Sequence, residues 1–476
     1  MKEDRDSLVR DEHPPLRPPA RWGRVATVGG AFAAFFLIRA GLPLGTLPGN
    51  LDPAAVRTGL AVLSLAAILW LTEALPLALT AILVAIVASL TGCLDVTRSF
   101  AGFAHPLIFL FLGGFGMAAA LSRQGIDRWI ASRILVLGRG RFHPTAIALF
   151  LVSALLSMWI SNTATVALLL PVALGVLARV SEGTPADTAR REGTYLMLGI
   201  AYSASIGGIG TLIGTPPNAI AAAALGIGFS EWMGIALPLV AILLPVLFLL
   251  LRLVVRPGRI APFEIQRQDF EFTRPRVATL AVFVGAITCW LAGAPLSRHF
   301  GIESGFDTIV AVTALLVLAI ARLVDWRDID RATDWGVLLL FGGGITLSRV
   351  LGVTGASAYL ADRIRLLAEG WPTLLLVGVL VLFMIFLTEL SSNTASTALM
   401  VPIFAAVAAD LGRSPRALVL PIAMAASCAF MLPIATPPNA IVFASGRVTQ
   451  GEMMRAGLRL NLLFALILTA LAALLL

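Results

Sequence analysis

The sequence predicts an all-α polytopic membrane protein, with about 11 transmembrane helices plus two re-entrant hairpins in two inverted repeats. Three observations carry this. Of the 476 residues, 58% are hydrophobic and 13% charged, against roughly 25% charged in a soluble domain. Apolar stretches of span length or more run the length of the chain. Two polar strings occur twice, in the same order. Ser161-Asn162-Thr163-Ala164 returns as Ser392-Asn393-Thr394-Ala395, and Thr215-Pro216-Pro217-Asn218-Ala219-Ile220 returns as Thr436-Pro437-Pro438-Asn439-Ala440-Ile441.

The apolar stretches fall near 24–44, 55–73, 75–93, 105–122, 144–178, 194–226, 232–254, 276–297, 305–324, 335–350, 372–409, 416–446 and 456–476. The first four read as single spans. The fifth, 144–178, is too long for one span and carries Ser161-Asn162-Thr163 near its middle, with Pro171 beyond. It reads as a hairpin that enters and leaves on one side, its polar string at the tip. The sixth, 194–226, contains Thr-Pro-Pro, which removes two backbone donors and breaks a helix. It reads as a span unwound near the midplane. After three further single spans following 232–254, the same order returns: hairpin 372–409 with Pro402, unwound span 416–446, last span 456–476. Span one stands alone, and each repeat holds five. An odd number of spans per repeat forces the second copy to be inverted.

Basic residues set the orientation. Lys2, Arg5, Arg10, Arg17, Arg21 and Arg24 precede span one, which places the N-terminus in the cytoplasm. Three Arg-rich loops then fall inside: Arg123 to Arg141, Arg252 to Arg276, and Arg322 to Arg331. Loops 45–54 and 226–231 fall outside and lack Arg, whereas Arg363, Arg365, Arg413 and Arg416 fall outside and count against the scheme. The first hairpin opens inward and the second outward, so their tips meet at mid-membrane. The polar loop 181–193 makes the first motif pair wider spaced than the second.

The net charge of +8 is explained by this topology and not by nucleic acid. Cys93, Cys289 and Cys428 form no CxxC and have no His cluster, so disulfide and zinc readings are weak. Residues 1–23 lack the short apolar core and cleavage site of a signal peptide. HExxH and GxSxG are absent from the sequence, so an intramembrane enzyme is not expected.

A bilayer tolerates polar breaks mainly where they face a cavity or a ligand. Asn offers an acceptor and a donor, and hydroxyls serve either way. A hairpin tip also frees carbonyls that suit Na+ and N–H groups that suit a carboxylate. Two tips could therefore hold two cations and the two ends of a dianion. No Arg or Lys lies within several residues of either tip. A buried dianion without a basic partner is costly; the cheapest resolution is that co-bound cations neutralise it, and that coupling yields symport. Glu389, three residues before Ser392, has Met158 as its first-half counterpart and is expected to bond to backbone or scaffold more than to couple ions. Glu73 reads as a helix-end residue. Gly208 to Gly214 has the wrong spacing for a nucleotide loop; it, Gly113-Gly114 and Gly342-Gly343-Gly344 read as close-packing sites. His105 and His143 sit near span ends with no assigned role.

Trp70-Leu71-Thr72-Glu73-Ala74-Leu75-Pro76, the two Ser-Asn-Thr strings and the two Thr-Pro-Pro-Asn strings resemble the divalent anion/sodium symporter family over roughly residues 24–476. That family carries dicarboxylates, citrate or sulfate. The resemblance implies a homodimer in which a scaffold holds a transport domain that moves like an elevator. It implies one Na+ among Ser157, Ser161, Asn162 and Gly214, and a second among Thr388, Ser391, Asn393 and Ala435. Substrate carboxylates would meet Ser161, Asn162, Thr163, Ser392, Asn393 and Thr394, beside Pro216 and Pro437. Exchangers of the family carry basic side chains at cation positions; here those positions are neutral, which favours symport.

The expected organisation is a cytoplasmic tail (1–23), scaffold (24–143 and 276–371), transport domain (144–254 and 372–476) and a cytoplasmic linker (255–275). The expected function is Na+-coupled symport of a dicarboxylate such as succinate, malate or fumarate across the cytoplasmic membrane. Sulfate or citrate symport, dicarboxylate exchange and cation/proton antiport on the same broad fold are the alternatives.

Overall fold

A computed structural model describes residues 21–137, 140–181, 185–258, 271–302, 304–367 and 369–475. Most of the predicted tail, residues 259–270 of the predicted linker and residues 182–184 of the polar loop lie outside the described residues. Among the described residues the chain is helical, with no strand. It opens with α1 (Arg21–Gly41), α2 (Pro53–Thr72) and α3 (Leu77–Leu90). Then come α4 (Val96–Phe100), a 3-10 turn (Ala101–Ala104), α5 (Pro106–Arg123), α6 (Ile126–Leu137), α7 (Phe142–Ser157) and α8 (Asn162–Ser181). The first half closes with α9 (Ala186–Gly208), α10 (Pro216–Leu225) and α11 (Phe229–Val255). The second half holds α12 (Arg274–Leu291), α13 (Gly293–His299), α14 (Phe306–Ile320), α15 (Trp326–Ala332), α16 (Trp335–Val353) and α17 (Ala356–Leu367). It ends with α18 (Thr373–Leu390), α19 (Asn393–Asp410), α20 (Pro415–Ala425), α21 (Pro437–Ala444) and α22 (Gln450–Leu475).

Local chemistry sets the ends. Asp52 caps α2 by accepting from the N–H groups of Ala54 and Ala55, each at 3.1 Å. Asp325 and Asp328 cap α15 reciprocally, satisfying two orphan donors at once. The four long apolar stretches are split where the polar strings lie: between α7 and α8, α9 and α10, α18 and α19, and α20 and α21. The prolines act differently from the sequence reading. Pro216 and Pro437 do not interrupt a helix; each opens one, at the first position of α10 and α21, where the missing N–H would be unpaired anyway. The unwinding lies ahead of them, in 209–215 and 426–436.

Nine helices among the described residues are long and apolar enough to cross a membrane. The nine include the hairpin limbs α8 and α18. Of the eleven predicted spans, α3 and α14, at 14 and 15 residues, are only about 21–23 Å long, and the two unwound spans are divided, which leaves seven. Sequence reading missed the short helices α4, α6, α13, α15 and α17. α6 and α17 each lie directly before a split pair.

Packing is reciprocal between the halves. α3 lies on α16 and α5 on α14; α10 lies on α19 and α20, while α21 lies on α8 and α9. The glycine pairs explain the close crossings of α5 on α14 and of α16 on α3. A Cβ on Gly113 of α5 would sit 2.6 Å from the Ala311 carbonyl of α14, and one on Gly343 of α16 would sit 2.4 Å from Ala81 Cβ of α3. Only glycine permits backbones this near.

The ion pairs group residues by side. Arg123 meets Asp325 at 2.8 Å and also Asp328, which joins two loops read as cytoplasmic, and Arg190 meets Glu452 at 3.0 Å. Arg416 meets Glu231 at 2.7 Å, and both were read as external. Arg363 and Arg365 flank Asp362 on α17 at 3.1 and 2.8 Å, which reduces their weight against the scheme.

Candidate functional site

Both Ser-Asn-Thr strings and both Thr-Pro-Pro strings line one cavity of about 960 Å³. Each tip is built the same way. α7 ends at Ser157 and α8 begins at Asn162; α18 ends at Leu390 and α19 begins at Asn393. The helix that arrives presents carbonyls, and the helix that departs presents N–H groups and its positive dipole end.

Within each tip an asparagine is held by a hydroxyl five residues earlier. Ser157 Oγ donates to Asn162 Oδ1, and Thr388 Oγ1 donates to Asn393 Oδ1 at 2.5 Å. Thr388 Oγ1 also approaches the Ala426 carbonyl at 3.1 Å. Asn162 lies against the unwound segment: a Cβ on Gly208 would be 2.6 Å from its Oδ1 and 3.2 Å from the Gly214 carbonyl oxygen. Ser391 Oγ bonds the Leu387 carbonyl at 2.9 Å and lies 2.6 Å from Ser396 Oγ. Ser161 Oγ accepts from Ala164 N–H at 3.2 Å.

Thus Ser161, Asn162, Thr163, Gly214 and Pro216 face the same cavity as Ser391, Ser392, Asn393, Thr394, Ala435 and Pro437. Ser157 and Thr388 are fully buried behind their asparagines. The donor set around each tip is neutral hydroxyl, amide and carbonyl oxygen, a set that suits Na+.

Two residues were missed as site builders, although both stand inside the repeated strings. Asn218 Nδ2 donates to the carbonyls of Gly208, Ile209 and Thr211 at 2.8, 3.2 and 2.7 Å. Asn439 Nδ2 donates to those of Ala429 and Leu432, each at 3.1 Å. Both are fully buried. They gather the carbonyls that unwinding releases, so part of the expected carbonyl supply is used to hold the unwound backbone in shape.

Glu389 is 2% exposed and its carboxylate accepts from Met431 N–H at 2.8 Å, Leu432 N–H at 3.0 Å and Asn461 Nδ2 at 2.7 Å. It ties α18 to the unwound segment and to α22. Its counterpart Met158 uses its backbone for the same purpose, accepting from Thr211 Oγ1.

The other walls come from α2, α5 and α16. Glu73 caps α2 in a left-handed conformation, φ 48°, and the turn is fixed by Trp70 Nε1 donating to Leu77 O at 3.3 Å. Glu73, Thr72 and Asp334 reach the cavity, whose lining contains no Arg, Lys or His among the described residues.

Comparison with known proteins gives the family. The family model described as citrate transporter matches residues 67–415 and 367–476. The chain is 33% identical over 448 residues to the sodium-dependent dicarboxylate transporter SdcS of Staphylococcus saprophyticus, covering 87% of this chain and 85% of that protein. The chain belongs to the divalent anion/sodium symporter family. Two further relatives of this transporter are described only as uncharacterized transporters. One, from Haemophilus influenzae, is 46% identical over 429 residues (88% of this chain, 91% of the relative). The other, from Methanocaldococcus jannaschii, is 38% identical over 415 residues (87% and 93%). The fold is similar to the crystal structure of the Alcanivorax borkumensis YdaH transporter, with a TM-score of 0.55 at 16% identity, covering 81% of this chain and 87% of that one. The symporter family is one of transporters and not of enzymes, and this member is a multi-pass membrane protein.

Proposed function

We propose that this transporter carries a small dicarboxylate, of the succinate, malate or fumarate type, together with Na+ across the cytoplasmic membrane. The observation that carries the reading is the cavity lining: two amide-bearing tips border one space that holds, among the described residues, no basic side chain and two carboxylates, Glu73 and Asp334. A dianion entering alone would be desolvated against like charge. Na+ held at the tips removes that penalty, so neither binds well without the other. The N–H groups opening α8 and α19 would receive the carboxylates. Ser161, Asn162 and Thr163 on one side, and Ser392, Asn393 and Thr394 on the other, would orient them. Gly214 and Ala435 would complete the two cation sites with Ser157 and with Thr388 and Ser391. The sodium dependence and dicarboxylate named for the SdcS relatives support the same assignment.

The reading extends to movement. The transport domain would be 144–254 and 372–476, held by a scaffold of 24–143 and 276–371, in a homodimer with a cytoplasmic N-terminus. Each half would invert the other, which the reciprocal packing of α10 and α21 supports. The cavity walls include the α2–α3 turn and the α15–α16 junction, both cytoplasmic in this orientation, which on this reading would make the state inward-open. A citrate substrate is the second reading, favoured by the citrate transporter match and by the cavity volume of about 960 Å³.

Equilibrium binding tests the pairing. Succinate titrated into the purified protein should bind in NaCl and lose most of its affinity when choline replaces Na+. Equal affinity in both salts would sink the charge-neutralisation argument; citrate binding alone would move the assignment to the second reading.

A further inference from the structure

A second cavity, of about 290 Å³, lies at the opposite ends of the helices that line the first. The two share no lining residue. Between them stands an apolar plug of Ile108 and Phe111 on α5, Ala219 on α10, and Leu338 and Phe341 on α16. The second cavity is walled by the starts of α5 and the ends of α16 on one side, and by α10 and α19 on the other. Its polar groups gather on the α5–α16 side. Arg349 donates one N–H to the Arg98 carbonyl at 3.3 Å, and no carboxylate lies within ion-pair reach of it among the described residues. His105 Nδ1 accepts from Leu107 N–H at 3.3 Å, so the neutral ring carries its proton on Nε2 and is a donor there. Ser348 adds a hydroxyl. The facing wall, with Ile220, Ala223, Ala224 and Val401, is apolar.

We propose that this cavity binds a monocarboxylate with a compact apolar tail. One anionic head meets Arg349, His105 and Ser348, and the tail fills the space against α10 and α19. A dicarboxylate is disfavoured, because its second charge would face a wall with no donor. Since the occupant touches scaffold and transport elements together, it pins one against the other and acts as a brake on transport. The brake rests on the proposed transport reading; the binding does not.

The test titrates 4-tert-butylbenzoate into the full-length purified protein by calorimetry. The comparison set is wild type, Arg349→Gln, Ala224→Phe and Asn162→Ala, each first shown to be folded by gel filtration and thermal melting. Loss of the guanidinium should weaken binding about tenfold or more. Ala224→Phe, which fills the tail space from the opposite wall, should abolish it. Asn162→Ala should leave it unchanged, and succinate should not displace the probe. No binding to wild type, survival in either cavity variant, loss in Asn162→Ala or displacement by succinate would each overturn the proposal. A saturating dose should lower the maximal rate of Na+-driven succinate uptake by wild type without altering KM, and should spare Ala224→Phe; unbraked uptake by wild type would overturn the brake. If wild type takes up no succinate at all, the transport reading fails while the titration still decides the site.

Discussion

Thr388 Oγ1 donates to Asn393 Oδ1 at 2.5 Å, and Ser157 makes the same bond to Asn162 in the other half. Each asparagine opens the second helix of its pair, and each hydroxyl stands in the last turn of the first. The bond fixes which way the amide faces. In the first half both amide atoms of Asn162 lie near the end of α9, Oδ1 at 2.6 Å and Nδ2 at 3.3 Å from where a Cβ on Gly208 would sit. Each asparagine brings an acceptor and a donor to its tip.

Asn162→Ala and Asn393→Ala should each reduce uptake to background while the protein still purifies as a folded species. Thr388→Val, which keeps shape but removes the hydroxyl, should raise the Na+ concentration for half-maximal uptake on the order of tenfold, the worth of one hydrogen bond near charge. Full activity in either asparagine variant, read in proteoliposomes, would remove the site assignment.

Glu389→Gln should lower thermal stability by about 1–3 kcal/mol, the cost of leaving buried N–H donors unmatched, because glutamine turns an NH2 group toward Met431, Leu432 or Asn461. Na+ half-saturation should stay where it is, since the carboxylate is occupied in tying α18 to the unwound segment. A variant with unchanged melting temperature and altered Na+ dependence would make Glu389 a coupling group instead.

Much of this was legible in sequence because a bilayer penalises polar strings so heavily that their recurrence marks function. Helix breaks at Ser161 and Ser392 and the absence of nearby basic residues could be read directly. The amphipathic helices α6 and α17 could not, since their charges resemble loop composition. Asn218 and Asn439 were in view but overshadowed by the prolines beside them. Their role depends on carbonyls freed up to ten residues earlier, a relationship that only folding reveals. The acidic rim of Glu73 and Asp334 joins segments about 260 positions apart, beyond the reach of any local pattern.

Gly113→Val should destabilise the α5–α14 crossing by about 1–3 kcal/mol or more, the usual cost of overpacking, since the new Cβ would lie 2.6 Å from the Ala311 carbonyl. Gly23→Val, where a Cβ would meet nothing within 4 Å, is the control. Thermal melting in detergent should separate the two; equal melting temperatures would contradict the close-packing reading.

The clasp between α5 and α15 should be sensitive to acid. The Asp325 carboxyl is held below the usual carboxylate range, first by the Asp328 N–H and then by Arg123. A depressed pKa stabilises the fold above the unfolded value and loses that contribution as pH falls through the folded value. The difference in melting temperature between wild type and Arg123→Gln should therefore be full at neutral pH and close below pH about 4. A gap that does not narrow on acidification would place the contribution of Arg123 outside this pair.

The most direct test of the central claim is uptake of radiolabelled succinate into proteoliposomes with and without an inward Na+ gradient. Accumulation driven by the gradient and lost in Asn162→Ala is the predicted result. Uptake that ignores Na+ and requires dicarboxylate inside the vesicle would contradict symport and replace it with exchange.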